Sequence, residues 1–289
     1  MGVARVVDVL VVVAALVGVA PSASADQILF SRQNRDGERL WVMRSDGSGA
    51  RRLPNFGARD PDLSPDGRRL VWSGNDNSLR TGTITGEQQR VVWRVGVQSE
   101  NPPFWARWSP SGGQIAAVRG TQVFVVRPGS RARKLRTSVS IAGRVSWSPD
   151  GRRIVAPVGA QDAKFTTLWV IDVASGAARE LVRLDGEATG SPAWSPDGRW
   201  IAFTRSPSGD PPPSARQLWL VRPDGSGLHQ LAQVAGGAGE PSWSPDGRRL
   251  AFETDLTMTR SNIATMRSDG SGLRLLTRGG RNLSPDWSR

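Results

Sequence analysis

The chain has 289 residues, with no cysteine, no tyrosine, one histidine, 33 glycines, 20 prolines and 12 tryptophans. These counts exclude disulfides, thiol chemistry and zinc sites built from His and Cys, and they suit an all-β, turn-rich protein. The formal net charge of +12 is nearly all arginine and points to anionic neighbours such as envelope polymers or membrane surfaces, although solubility alone also accounts for it.

Residues 1–25 read as an export signal peptide. Arg5 gives a short positive start, and Val9 to Ala20 is an apolar run too short to span a bilayer comfortably. Ala23-Ser24-Ala25 offers a small-x-small cleavage site before Asp26, while Asp8 is unusual so close to the apolar run. The expected mature chain, 26–289, is exported and soluble, with no transmembrane segment and no cysteine for a lipid anchor.

From Gln27 onward, strands follow one another by matched repeats. Gln27 to Ser31 (QILFS) resembles a buried strand, and Arg39 to Arg44 (RLWVMR) matches Thr167 to Ile171 and Gln217 to Arg222. Asp-Gly turns follow at Asp46-Gly47, Asp224-Gly225 and Asp269-Gly270, a strong hairpin signal. The phrase that organises the chain is WSPDGRRLAF, from Trp243. It recurs from Trp194, Trp147 and Leu63, more weakly from Trp108, and in truncated form (LSPDW) from Leu283. Its serines, Ser64, Ser109, Ser148, Ser195, Ser244 and Ser284, are spaced 45, 39, 47, 49 and 40 residues apart. That period is the signature of propeller blades of four strands each.

Within the phrase, Pro presets a turn angle, Asp accepts hydrogen bonds from its own turn, and Gly supplies a positive φ. The apolar run that follows lacks strict alternation, as in a strand covered on both faces. The N-terminal unit has three strands and lacks its first; the C-terminus has one and lacks the other three. The expected fold is therefore an all-β, six-bladed β-propeller, closed by the C-terminal strand completing the first blade. The blade around residues 64–93 is the least regular, with Asn75-Asp76-Asn77-Ser78 and Thr81-Gly82-Thr83 where other blades carry Leu-Trp. The insert Ser206 to Arg216, with Pro211-Pro212-Pro213, is expected to be a stiff projection. Trp72, Trp108, Trp147, Trp194, Trp200 and Trp243 recur at matched positions and are expected in the core.

The WSPDG phrases resemble the TolB-type (PD40, WD40-like) propeller repeat over residues 27–289. The resemblance implies a non-catalytic binding module. The best-known member is an exported six-bladed propeller, preceded by a small α/β domain, that docks a peptidoglycan-associated lipoprotein. Here strands are expected to begin directly after the signal peptide, without that domain. Related propellers precede prolyl-oligopeptidase-type hydrolase domains, and no such domain is expected here.

Candidate sites fall on two faces. Arg68, Arg69, Arg152, Arg153, Arg199, Arg248 and Arg249 lie in turns expected on one face, where guanidinium groups suit carboxylate or phosphate polymers; solvated turns also simply tolerate Arg. Four residues before each repeat's Ser lie Asp60, Trp105, Arg144, Ser191, Glu240 and Gly280, expected to rim the central channel on the other face. There Asp60 and Glu240 are candidates for Ca²⁺ ligation or for a salt-bridged plug with Arg144, and Trp105 is a candidate peptide anchor. Asp66, Asp150, Asp197, Asp246 and Asp286 occur once per blade and read as turn stabilisers. His229 matches Arg51 and Arg274 in an outermost strand and is not expected to catalyse. The expected protein is a monomer that binds an envelope protein or anionic envelope polymer, with no nucleic-acid partner, no cofactor beyond a possible channel Ca²⁺, and no enzymatic activity. The alternatives are a propeller hydrolase or lyase using carboxylates and a divalent ion at the channel mouth, and a small-ligand sensor lobe.

Overall fold

Each Ser-Pro-Asp-Gly phrase closes on itself by the same set of bonds. The serine hydroxyl donates to the aspartate at 2.5–2.6 Å in Ser64–Asp66, Ser148–Asp150, Ser195–Asp197 and Ser244–Asp246. The same oxygen accepts the amide five residues on, at 2.9 Å from Arg69, Arg153, Trp200 and Arg249. The aspartate in turn accepts the amide two residues on, at 3.0–3.1 Å. For Asp150 and Asp246, the serine hydroxyl and then the turn amide hold the carboxyl below its ordinary value. Gly151 and Gly247, both at φ 67°, complete the reversal.

The computed structural model describes residues 26–34, 37–54, 59–74, 76–95, 103–159, 166–184, 186–207, 213–255 and 261–288. Residues 1–25, where a signal peptide is expected, Asn75 and the Pro211-Pro212 part of the insert lie outside these residues. The described chain forms six four-stranded antiparallel sheets, with one 3₁₀ turn at Pro213–Ala215. Their innermost strands are Arg281–Trp287 (blade one), Arg59–Leu63, Pro103–Trp108, Ser146–Trp147, Glu187–Trp194 and Gly239–Trp243 (blades two to six). Each innermost strand touches the next, and the sixth touches the first, so the ring is closed. Closure is the one expected: Arg281–Trp287 pairs with Gln27–Asn34, which continues to Gly37–Arg44 and Arg51–Arg52. Each innermost strand is the inner edge of its sheet, short and shielded by its neighbours around the ring.

The second strands are covered on both faces. Leu70, Val71 and Trp72, Ile154 to Ala156, Ile201 to Phe203 and Leu250 to Phe252 are all 0% exposed. Alternate residues serve opposite neighbours. Leu70 and Trp72 pack with Leu29 and Val42 of blade one, whereas Val71 packs with Trp108 and Ile115 of blade three. Of the six repeat tryptophans, five are buried and Trp200 is half-buried. In the irregular second blade, Gly82 stands where a Cβ would meet the Trp72 ring at 3.1 Å. The same blade's Asp76 binds Arg80, Ser78 and Arg94; Arg80 first and then Ser78 pull its carboxyl down to about 2.

The last repeat is registered differently from the expectation. Trp287 pairs with Ile28, and the Ser288 amide donates to the Gln27 carbonyl at 2.9 Å. Those are the positions of Trp243 opposite Leu250 and of Ser244 on Arg249. The sixth phrase is therefore Trp287-Ser288, 44 residues after Ser244, and Leu283 to Asp286 is strand. Asp286 is consequently no turn stabiliser. Burial of Trp287 (2% exposed) among Ile28, Phe30, Met43 and Ile263 sets this register, overriding the local LSPD likeness.

Candidate functional site: the channel rim

Five innermost strands carry one extra residue at the same level, a β-bulge visible as a register shift against the second strand. The residue at the bulge is left-handed: Asp60 (φ 48°), Trp105 (50°), Ser191 (45°), Glu240 (52°) and Ser284 (51°). Such a conformation is uncommon for non-glycine residues, and a bulge re-aims its side chain. Here four of the five polar or aromatic side chains reach toward the channel axis. Blade four lacks the bulge and supplies Arg144 from the loop before its short inner strand. The corrected register makes Ser284, not Gly280, the sixth rim residue.

The rim residues of facing blades converge on Arg144. Its guanidinium lies 2.7 Å from Glu240, 3.2 Å from Asp60 and 2.9 Å from the Ser284 hydroxyl. Ser191 donates to the other Glu240 oxygen at 2.7 Å. The Arg144 side chain is 15% exposed. Burial would lower its pKa, but Glu240 and Asp60 outweigh that and keep it charged. Burial pushes the Glu240 carboxyl up, whereas Arg144 and then Ser191 pull it below its ordinary value. Glu253, on the second strand of blade six, is raised by burial and by the charge of Glu240. Trp105 does not stand free: it packs against the cluster holding Ile141, Val145 and Trp147.

Beneath the rim lies a cavity of about 40 Å³ lined by Asp62, Arg107, Arg144, Ser146, Glu240, Ser242 and Asp286, among others. That is room for a few waters. Below the rim, four of the six junctions are stitched by the side chain two places before the repeat's Ser. Asp62 accepts the Trp108 amide (2.7 Å), Ser146 that of Trp194 (3.0 Å), Ser242 that of Trp287 (2.9 Å) and Asp286 that of Leu63 (2.6 Å). At the two intervening junctions, the indoles of Trp147 and Trp243 donate to the carbonyls of Arg107 and Ala193. Four junctions thus use a side-chain acceptor and two a main-chain one, so all six are bonded. Arg107 also faces Asp62 at 3.5 Å.

The arginine turns do share the opposite face. Turn packs on turn around the ring, with Gly112 near Pro65, Gly198 near Pro149 and Gly247 near Pro196. Arg68, Arg152, Arg199 and Arg248 are exposed, whereas Arg69, Arg153 and Arg249 are half-buried. Arg69 and Arg153 stack over Trp108 and Trp194 of the following blade, at 4.8 and 5.1 Å. Two of the seven predicted surface cations are therefore partly blade-packing groups. His229 is exposed in the outermost strand of blade five, bonded to the Gly227 carbonyl (2.7 Å) and edge-on to Trp200. Among the described residues, no hydroxyl or carboxylate is bonded to it.

Residues 86–289 match the family model of the TolB beta propeller domain, PD40. The chain belongs to that family. Among solved structures it is similar to TolB from Acinetobacter baumannii, with 16% identity and a TM-score of 0.73 over 91% of this chain and 66% of that one. It is also similar to a putative TolB from Agrobacterium tumefaciens: 20% identity, TM-score 0.67, 90% of this chain and 91% of that one. An oligogalacturonate lyase from Vibrio parahaemolyticus is similar at 16% identity and a TM-score of 0.58, over 86% and 73% of the respective chains. The chain thus spans just under two thirds of the Acinetobacter protein's length. No curated protein matches it.

In this TolB-type propeller the sequence located five rim residues, and the structure joins Asp60, Arg144, Ser191 and Glu240 in one network while leaving Trp105 in the wall. Ser284, Arg107, Asp62, Asp286 and Glu253 were missed. A polar residue recurring two places before the repeat's Ser was the available signal for Asp62 and, once the last repeat is registered correctly, for Asp286. Glu253 had none.

Proposed function

We propose that this chain is an exported, non-catalytic TolB-type propeller that binds a protein or envelope component. In this reading, residues 1–25 are a removed signal peptide and 26–289 form a monomeric propeller in the periplasm or cell envelope. One observation carries the non-catalytic reading: the charged groups of the rim are spent on each other. Arg144 engages Asp60, Glu240 and Ser284, and Ser191 engages Glu240. Acid–base chemistry needs a group free to meet the proton it moves, and here the carboxylates already face a guanidinium. A Ca²⁺ ion fits this rim poorly, because Arg144 holds the place between the two carboxylates that a cation would need. Among the described residues no three acidic or histidine side chains gather as a metal cage. The 40 Å³ cavity is also far below the several hundred Å³ of a ligand pocket, which disfavours ligand sensing in the channel.

The test is co-sedimentation of the purified protein with envelope fraction, untreated or protease-stripped, each at low and high salt. Pelleting lost on stripping identifies a protein partner. Retention on stripped envelope, released by salt, identifies an anionic polymer. Absence of pelleting throughout overturns the binding reading. The likeness to a lyase motivates one control, in which turnover of oligogalacturonate with added Mn²⁺ or Ca²⁺ would replace this reading with an enzymatic one.

A further inference from the structure

The turn face is not uniformly basic. Between blades four and five it opens into a cleft of about 640 Å³, lined by Arg153, Arg179, Arg199, Trp200, Arg222 and Asp224, with Pro223. Four guanidinium groups and one carboxylate meet there. Two of the arginines come from blade four, Arg153 at the start of its second strand and Arg179 in its outermost strand, and two from the turns of blade five. The matched positions do not repeat this elsewhere. At the next junction, between blades five and six, Arg153 and Arg179 are replaced by Trp200 and His229. All four matched positions are arginine only at this junction; those of blades two and three (Arg69, Arg90, Arg127) and of blades six and one (Arg249, Arg274, Arg44) carry three each.

Three of the guanidiniums are held by stacking or a carbonyl bond, and the turn aspartates Asp150, Asp172, Asp197 and Asp224 offset part of their charge. Arg153 lies over Trp194, and Arg222 lies over Trp200 at 5.2 Å. Arg179 donates to the Pro223 carbonyl across the cleft. Arg199 reaches Asp197 only at 3.9 Å, with its side chain 81% exposed. Stacking and a single carbonyl bond leave donors of each fork unused. The one carboxylate in the lining, Asp224, spends an oxygen on the amide and hydroxyl of its own turn's Ser226 (2.9 and 2.7 Å).

The geometry points to a binding site in this cleft for a linear phosphate-bearing anion. A phosphate group brings about −1.5 to −2 charges and three acceptor oxygens, against one charge and two oxygens for a carboxylate. The denser anion better matches four arginines, three of them held in place, in a cleft of this size. The site lies on the face opposite the rim, and it stands whether or not a protein docks on the loop face.

The experiment is titration calorimetry of the purified protein with inorganic tripolyphosphate in about 0.15 M salt, where diffuse surface attraction is largely screened. Trigalacturonate serves as the carboxylate comparison. R199E/R222E should weaken tripolyphosphate binding by at least about tenfold, with each added kcal/mol given by RT ln of that ratio. R248E/R267E makes the same charge change at the matched positions of blade six and should weaken it less than about twofold. Thermal melts confirm that both variants fold, and R199Q/R222Q replaces the reversal pair if that one does not. Absence of tripolyphosphate binding, equal loss in the two variant pairs, or tighter binding of trigalacturonate each overturns the assignment.

Discussion

Arg144→Met is the perturbation that tests the rim most directly, because it removes the one cation between Asp60 and Glu240. The guanidinium contacts both carboxylates and Ser284 while 15% exposed, and each carboxylate side chain is 25% exposed. Breaking a buried ion pair from one side costs about 3–5 kcal/mol. The quarter exposure of the carboxylates lets water screen part of the remaining repulsion, so about 2–3 kcal/mol is expected near pH 7. At roughly 2–4 °C per kcal/mol for a domain of this size, Tm should fall by about 5–10 °C. The pH dependence has a definite sign. Against its burial, Arg144 holds the Glu240 carboxyl below its ordinary value. That contribution is therefore present above the unfolded glutamate pKa and is lost as pH falls through the folded one. The deficit of R144M should be largest at neutral pH and shrink below the usual carboxylate range. The assay is calorimetric melting at about pH 7.5 and about pH 3, with D60N/R144M/E240Q as the neutralised comparison recovering most of the loss. A variant melting with the parent at pH 7.5, or a deficit equal at both pH values, would refute the plug.

Three further predictions address closure, coupling and turn geometry. Trp287→Ala empties the site that seals the first blade, where the ring is 2% exposed, and should cost about 3–5 kcal/mol in denaturant melts; a loss below about 1 kcal/mol would mean the C-terminal strand does not close the ring. Burial and then Glu240 raise the folded pKa of Glu253, so its ionisation weakens the fold as pH rises through that value. Glu253→Gln should accordingly gain Tm relative to the parent as pH rises above the ordinary glutamate range, and a pH-independent difference contradicts the coupling. Gly151 and Gly176 share positive φ (67° and 79°), but a Cβ meets nothing within 4 Å at the first and the Arg136 carbonyl oxygen at 1.8 Å at the second. Gly151→Ala should cost about 1 kcal/mol of left-handed strain, and Gly176→Ala about 1–3 kcal/mol more; equal losses would refute the close approach.

Pattern reading went furthest where one short segment satisfies its own chemistry. The turns at Ser64, Ser148, Ser195 and Ser244 bond internally, so their sequence carries their structure. It misled at Leu283, where Ser-Pro-Asp imitates a turn but lies in a strand. Ser284 occupies the bulge and Asp286 binds the Leu63 amide of the next blade. Nothing local separates the two cases, because the difference lies in which strand pairs with which.

The sequence by itself determined the six blades, the closure of the ring by the two chain ends, the doubly covered second strands and the outer, solvated place of His229. All of these follow from periodicity, turn chemistry and the need to bury apolar faces, which act over a few residues and repeat. Only the tertiary structure decided that Asp60, Arg144, Glu240 and Ser284 form one network, that Arg69 and Arg153 lie against tryptophans, and that four arginines gather between blades four and five. Those outcomes depend on residues from different blades, brought together by ring closure and by the bulges that turn their side chains inward, and electrostatic contacts of that kind leave no period in the chain.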